Sequence, residues 1–369
     1  MIIGQYQPVV GGAERQAAKL AKKLLHHNVK VDVLTIHRRG QKITENIDGV
    51  HVIRVAKPSF GILKIYLAML ATFFYILKNK ARYSCIHIHS ASYLAFAAVI
   101  AAKLARLPVI IKTVSSAPRF DLVKLESEFF LGRLYARQIV AHAARFIAIS
   151  PQIATDMRHY GITEQRIITI PNGVEPTCLE TPQKKDPTVL GLIVIARLTE
   201  LKNISFILDV VSNLTCPYTL AIYGEGPQRI ELESMISEKA LKNVRLMGNV
   251  PEQAVYEALA ASDIFLLSST VEGLSNALLE AMSIGVVPIV TNIAPNCYAL
   301  GDRLSATCCL PLEKSIWLQK LLYYYQNPEA RKLTGSLVRE KSKEFSLDGV
   351  AKRYIALYET LVREVAGHA

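Results

Sequence analysis

The chain is poor in the features that staple or anchor a protein. Its six cysteines (Cys85, Cys178, Cys216, Cys297, Cys308 and Cys309) include no C-x-x-C pair, and the adjacent Cys308 and Cys309 cannot make an ordinary bridge. Such scatter argues against zinc or disulfides and for buried free thiols in a reducing compartment. The longest apolar run, Ile65 to Leu77 broken only by Thr72, holds about 13 residues, where a membrane span needs roughly 20. The opening Met1-Ile2-Ile3-Gly4 is far too short for the h-region of a signal peptide, so none is expected. There is no internal repeat, no low-complexity segment, no metal-ligand cluster and no nucleic-acid module.

What remains is 369 residues of ordinary to high apolar content, enough for two or three domains with full cores. The formal charge of +12 is unevenly spread: residues 1–170 carry a net +15 and the rest a net −3. A basic half suits an anionic membrane surface, a phosphorylated lipid or a nucleic acid. Nucleic acid fits worst, because the cations alternate with apolar runs and not with exposed aromatics. Lys64, Lys78, Lys80 and Arg82 flank the long apolar run, which reads as a core helix or as one lying on a membrane surface.

Residues 1–174 alternate strand and helix. Apolar spacing at Ala17, Leu20, Ala21, Leu24 and Leu25 predicts a helix over 13–27. Strands are expected at 29–36, 51–55, 85–89, 109–114, 145–149 and 167–170, with helices at 65–77, 92–105, 126–144 and 151–160. The first strand is nearly missing: either the start lies upstream, or the sheet begins with a very short strand. Residues 175–188 carry Pro176, Pro182 and Pro187 and read as a linker. A second alternating set spans 189–346. Its strands are expected at 189–195, 218–223, 244–247, 264–267 and 287–291, with no element assigned over 292–310. Helices at 313–326 and 328–344 precede a final one at 347–365. The pattern predicts two doubly wound α/β domains, with ligands at the carboxyl ends of the strands in the crevice between them.

Several loops at those strand ends carry chemistry. Gly11-Gly12-Ala13-Glu14-Arg15 opens a helix, where two glycines permit close approach of a phosphate or serve an ordinary turn. Arg197 and Lys202 share a loop; two cations there neutralise a diphosphate, or are solvated surface charges. Tyr223-Gly224-Glu225-Gly226-Pro227 and Gly248-Asn249-Val250-Pro251 are two more strand-to-helix loops. Glu272-Gly273-Leu274-Ser275-Asn276 leads into a helix capped by Ser275 or Asn276, with Glu280 about a turn inside. At roughly 100° per residue, eight steps leave Glu272 and Glu280 about 80° apart, so both can border one cleft. The plainer reading is a solvated glutamate plus one that stabilises a first turn. Four such loops on one rim favour a site.

Taken in order, Gly-Gly-Ala-Glu-Arg, Ile-Pro-Asn-Gly-Val at 170–174, Arg-Leu-x-x-x-Lys at 197–202, Gly-Glu-Gly-Pro at 224–227 and Glu-x7-Glu at 272–280 resemble the pattern of the retaining family 4 glycosyltransferases. The resemblance covers nearly the whole chain and implies the GT-B fold, two Rossmann-like domains facing across a cleft. It implies an N-terminal acceptor-side domain over 1–174, a donor-binding domain over 189–346, and a closing helix, 347–365, that packs back on the first. Phe345-Ser346-Leu347 followed by Tyr354 and Tyr358 resembles that helix.

The resemblance also implies roles. Arg197 and Lys202 would hold the donor diphosphate and stabilise the leaving nucleotide, with no metal and no cofactor. Glu272 would contact the donor sugar, backbone N–H groups of Gly273, Leu274, Ser275 and Asn276 would meet sugar and phosphate, and Glu280 would bind the ribose. Val250 and Pro251 would border the base, Gly224 would belong to the donor pocket, and Gly12 would approach the phosphate from the first domain. Retention would follow a front-face displacement in which the departing phosphate takes the acceptor proton.

The family's acceptor-side histidine is absent after residues 109–114; Ser115, Ser116, Arg119 and Asp121 occupy that region, and His89, at a strand end, is either a weaker acceptor-side candidate or a core-edge histidine. Residues 292–310 also depart from the usual pattern. The expectation is a hexosyltransferase-type enzyme moving a sugar, first choice a UDP-sugar, to a lipid-linked or polysaccharide acceptor in cell-surface glycan synthesis. It would be cytoplasmic, with peripheral contact on the inner face of an anionic membrane and no nucleic-acid partner. A nucleotide-sugar epimerase of the same fold and a non-catalytic partner protein are the alternatives. The first would turn over a UDP-sugar without an acceptor, and the Glu-x7-Glu pair argues against it. The second would leave cellular glycan unchanged in Glu272→Ala.

Overall fold

The structure is a computed structural model describing residues 1–8, 11–56, 61–118, 120–175 and 188–367. Two units form: Met1–Gly173 together with the segment from Leu347, and Val174–Ser346. Most of the expected linker, residues 176–187, lies outside the described residues.

The first unit contains β1 (Asp32–Ile36), β2 (Thr44–Ile47), β3 (Val50–Val55), β4 (Ile86–His89), β5 (Val109–Thr113), β6 (Arg145–Ala148) and β7 (Ile167–Thr169). One group of strands runs β1-β3-β2 and another β4-β5-β6-β7. Ile2 joins them, bridging in parallel to Leu34 of β1 and Ile88 of β4. Its N–H donates to His87 O at 2.8 Å and its carbonyl accepts from His89 N at 2.8 Å. A very short strand therefore sits at the centre of this sheet. The strands β4 and β5 are buried along their whole length. A parallel strand covered on both faces has that pattern, and an almost unbroken apolar run encodes it.

On one face lie the helices Gly12–His26 and Leu347–Gly367, packed on each other. Leu20 and Leu24 of the first and Val350, Tyr354, Leu357 and Leu361 of the second share one apolar core with Val33, Val52 and Ile110. The helices Gly61–Lys78, Tyr93–Ala105 and Gly132–His142 pack in series elsewhere on the unit.

Two expectations for this unit need correction. The single helix expected over 126–144 is two, Asp121–Glu128 and Gly132–His142. A Cβ on Gly132 would come 2.1 Å from Leu125 O, so the glycine lets the second helix cross the first closely. The strand β2 was not anticipated, yet it pairs antiparallel with β3 around Asp48-Gly49, both at positive φ. Asp-Gly between short apolar residues is a strong hairpin signal.

The second unit contains β8 (Leu190–Ile195), β9 (Tyr218–Tyr223), β10 (Val244–Gly248), β11 (Ile264–Leu267), β12 (Val287–Thr291) and β13 (Cys309–Leu310). They are all parallel, in the order β10-β9-β8-β11-β12-β13. This is the doubly wound arrangement, in which the chain leaves β8 in one direction and returns on its other side at β11. The segment 292–310, for which no element is expected from the sequence, is ordered into two. It forms a helix, Ala294–Cys308, interrupted at Gly301 (φ 71°), and then β13. Gly301 breaks the apolar period there and hides the helix from a periodicity reading.

One feature of the first core is costly. His87 and His89 are buried and stacked with ring centroids 4.4 Å apart, and His87 Nδ1 is 2.8 Å from the Tyr358 hydroxyl. Neither ring nitrogen of His89 has a hydrogen-bond partner. Burial pushes both imidazoles well below their ordinary pKa, with the nearby Lys112 ammonium adding to the effect. Burial also lowers Lys112 itself, to about 8. The folded state thus keeps these rings neutral where the unfolded chain takes up protons. Their contribution to stability is complete above pH 6.5 and is lost as pH falls below it. His89→Leu is therefore expected to gain in unfolding midpoint, relative to the parent, as pH drops from 7.5 to 5. Denaturant titration at several pH values checks this, and a constant difference would contradict it.

Candidate functional site

In the second unit, the switch between β8 and β11 separates two loops at the carboxyl edge of the sheet, where open α/β sheets bind ligands. Backbone and hydroxyl bonds tie these loops together. Ser268 Oγ lies 2.9 Å from Lys202 O and 2.8 Å from Asn203 O, and Thr270 N donates to Leu201 O at 2.9 Å. Asn203 turns the chain in the left-handed region (φ 47°, ψ 45°) into the helix Ile204–Val211. Asparagine tolerates that conformation better than most residues.

This lacing brings Lys202 and Glu272 together from 70 residues apart, with Nζ 2.5 Å from Oε1. Their side chains are 22% and 9% exposed, so water screens the pair only partly. Arg197, on the same loop as Lys202, is exposed. Glu272 precedes the following helix, Asn276–Ile284, by four residues, so the ion pair and not a helical projection fixes its place. Ser275 is the cap, its side chain accepting from Leu278 N at 3.3 Å. Leu274 is buried, and Gly273 and Asn276 are half-buried. Glu280 is 4% exposed, low for a carboxylate, in the second turn of that helix.

The glycine loops are built into the same edge. Gly224 (φ 129°) donates its N–H to Gly248 O at 2.9 Å, and a Cβ on it would come 2.0 Å from Ala196 O. A Cβ on Gly226 would come 2.2 Å from Leu198 O. Both glycines therefore serve backbone-to-backbone packing against the loop that carries Arg197. Val250 is half-buried and Pro251 exposed at the start of the helix Glu252–Ala260.

Two residues here escaped the sequence reading. The Ser269 hydroxyl is buried, follows β11, and has no hydrogen-bond partner; Asn296 Oδ1, in the first turn after β12, is likewise buried without one. Buried polar atoms without partners are uncommon and call for a reason. Only their position just after a strand could have flagged them. Among the described residues, no three His, Cys, Asp or Glu side chains are grouped to hold a metal ion.

Gly12, His89 and Ser115 belong to the first unit. Gly12 begins the helix Gly12–His26, and Gly11 before it lies against the Glu14 carboxylate. Of the two readings of His89, an acceptor-side residue at the cleft edge or a core-edge histidine, the structure has the second: its ring is buried against His87. Strand alternation turns both histidines to one face of the sheet, where His87 meets Tyr354 and Tyr358 of the last helix. Arg119 lies outside the described residues. Ser115 bonds to Asp121, which is buried and also receives bonds from Ser90, Val114 N and Ala91 N. Burial raises the Asp121 carboxyl to about 6, although those four hydrogen bonds pull it down. Asp121 thus ties the loop after β4 to the loop after β5.

Two family models between them match most of the chain. One described as Glycosyltransferase Family 4 matches residues 10–177, and one described as Glycosyl transferases group 1 matches residues 180–339. Among curated relatives, the phosphatidylinositol N-acetylglucosaminyltransferase component from Arabidopsis thaliana is 25% identical over 55% of this chain and 46% of its own length. The chain thus spans about half of that relative. An Escherichia coli UDP-Gal:alpha-D-GlcNAc-diphosphoundecaprenol alpha-1,3-galactosyltransferase is 25% identical over 79% of each chain. A crystal structure of Anabaena Alr3699/HepE with UDP and glucose superposes with a TM-score of 0.77 at 16% identity, covering 97% of this chain and 98% of that one.

The packing of Gly226 can be tested directly. Gly226→Ala is expected to cost roughly 2 kcal/mol or more, since backbone must move to admit the methyl group. Gly4→Ala, with nothing within 4 Å, is expected to be near neutral. Thermal unfolding of the two variants checks the contrast.

Proposed function

We propose that this chain, which belongs to family 4 of the glycosyltransferases and has their GT-B fold, moves a sugar from a nucleotide-sugar donor to a lipid-linked or polysaccharide acceptor. The donor proposed first is a UDP-sugar, the class named in the E. coli relative. Both relatives named above act, by their names, on lipid-bound acceptors. The protein would work in the cytoplasm against the inner membrane face. No helix among the described residues is long and apolar enough to cross a membrane.

The observation that carries the reading is the Lys202–Glu272 pair at the β8/β11 switch. A half-sheltered ammonium paired with a single carboxylate can exchange that partner for a more highly charged diphosphate, and the exposed Arg197 adds a planar fork for the same group. Glu272 holds Lys202 in place until the donor supplies the negative charge. Its carboxylate is then released to accept from a sugar hydroxyl. Glu280 would take the ribose, and the N–H groups of residues 273–276 the phosphate and sugar. As the glycosidic bond breaks, charge grows on the leaving phosphate oxygen, and Arg197 and Lys202 stabilise it without a metal. That oxygen accepts the proton of the attacking acceptor hydroxyl on the same face, so configuration is retained and no protein nucleophile is used. Preorganised charges of this kind are worth about 10²–10³ in kcat each.

A thermal-shift series with UDP, GDP, ADP and CMP in EDTA tests the donor site. One nucleotide at a hundred times its Kd should stabilise the protein by about 2.7 kcal/mol, and Arg197→Ala or Glu280→Ala should abolish the shift. Stabilisation that requires a divalent ion would overturn the metal-free reading. Glu272→Gln separates the two roles of the carboxylate. It removes the charge that competes with the diphosphate, so UDP should bind as tightly or more tightly while transfer falls about 10²–10³-fold. Parallel losses of binding and transfer would contradict this assignment.

A further inference from the structure

The helix Gly61–Lys78 turns an apolar face to solvent. Its inward side is Ala68, Met69, Thr72 and Ile76, all buried. Its outward stripe is Leu63, Tyr66, Leu67, Leu70 and Phe74, which are 40–62% exposed. These positions follow the i, i+3, i+4, i+7 spacing with which a helix normally buries a core face. The surface continues onto its neighbours. Tyr66 shares a hydrogen bond with Tyr135 of the helix Gly132–His142. On that helix Leu134 is 47% exposed, and Phe130, just before it, is fully exposed. Scattered apolar residues on a surface need no explanation, but a whole helical stripe extended by its neighbour does.

The charge around this stripe is mainly positive; the exposed Glu128, two residues before Phe130, is paired with Lys124 at 3.7 Å. From residue 49 to residue 120 the chain contains ten Lys and Arg and no Asp or Glu. Exposed Lys78 and Lys80 stand at the end of the helix, Lys103 and Arg106 at the end of the helix Tyr93–Ala105, and Arg133 beside Leu134. An apolar face rimmed by cations matches the two layers of an anionic bilayer, acyl chains beneath acidic headgroups. A second copy of the chain matches it poorly, since a two-fold pairing of this face would set cations against cations.

We propose that this face is where the protein docks on membrane: the Leu63–Phe74 stripe enters the interface of an anionic bilayer, and the surrounding lysines and arginines bind its headgroups. The inference deepens the reading of the acceptor as lipid-linked and rests on it for its purpose. The docking itself needs neither donor nor acceptor, so the two can fail separately.

Co-sedimentation of the full chain with phosphatidylcholine vesicles, and with vesicles containing one-third phosphatidylglycerol, tests it. Binding should be about tenfold or more stronger to the anionic vesicles and should weaken with salt. Leu70→Glu with Phe74→Glu should lower that binding at least tenfold. Lys78→Glu with Lys80→Glu should lower the preference for anionic lipid while leaving the apolar stripe intact. All four positions are exposed, so the folded state and the nucleotide-induced thermal shift should persist in both variants. Binding that ignores lipid charge would overturn the proposal, as would its absence from both kinds of vesicle. So would a concentration-dependent dimer, seen by sedimentation, that Leu70→Glu dissolves. Failure of the nucleotide shift in the parent, with vesicle binding intact, would count against the transferase reading alone.

Discussion

The second unit depends on how the chain is held where β8 and β11 lie side by side. Parallel neighbours there send their loops in opposite directions, which opens space but leaves backbone groups to be satisfied. Ser268 and Thr270 meet that need by bonding the carbonyls of residues 201–203. The same bonds set the direction of Lys202 and bring it to Glu272. Gly224 and Gly226 then lie flat on Ala196–Leu198 from the other side. The charged groups thus stand on backbone clamped from both flanks. Such clamping reduces the reorganisation a bound diphosphate would otherwise impose on its site.

The first unit distributes its polar groups differently. Ile2 joins its two groups of strands, and the unit buries His87, His89 and Lys112 on its strands and Asp121 at the start of a helix. Asp121 is satisfied by four hydrogen bonds and binds two loops together. The His87–His89 pair has fewer partners and packs beneath Tyr354 and Tyr358 of the last helix. Buried polar groups of this kind cost stability, so they mark a place where packing alone did not choose the residues. The unit also leaves an apolar stripe uncovered on its helix Gly61–Lys78. Its surface chemistry thus differs from that of the second unit, in keeping with the basic charge of the first half of the chain.

Much of this was legible in the sequence because it is local. Alternating apolar periods located nearly every strand and the helices Gly12–His26, Tyr93–Ala105 and Leu347–Gly367 within a few residues. The Arg197/Lys202 loop, the glycine loops and Glu272 with Glu280 were each placed at a strand end, and there the structure has them. The misreadings are equally local in origin. Gly132 lets one apolar pattern run through two helices, Gly301 conceals a helix, and the hairpin at Asp48-Gly49 has a first strand too polar to stand out as one.

The chain's own order of residues determined the fold class, the family pattern and the identity of the loops, since each depends on spacings of a few residues. Tertiary structure alone decided that Lys202 meets Glu272, that Gly224 and Gly226 pack on a neighbouring loop, and that His89 is buried and not at an open edge. It also decided that Leu70 and Phe74 face water while Ala68 and Ile76 do not. An almost wholly apolar helix has no polar side to announce which face is covered. A salt bridge across 70 residues likewise has no local spacing to betray it. Both are settled only when separate strands and helices come to share one surface.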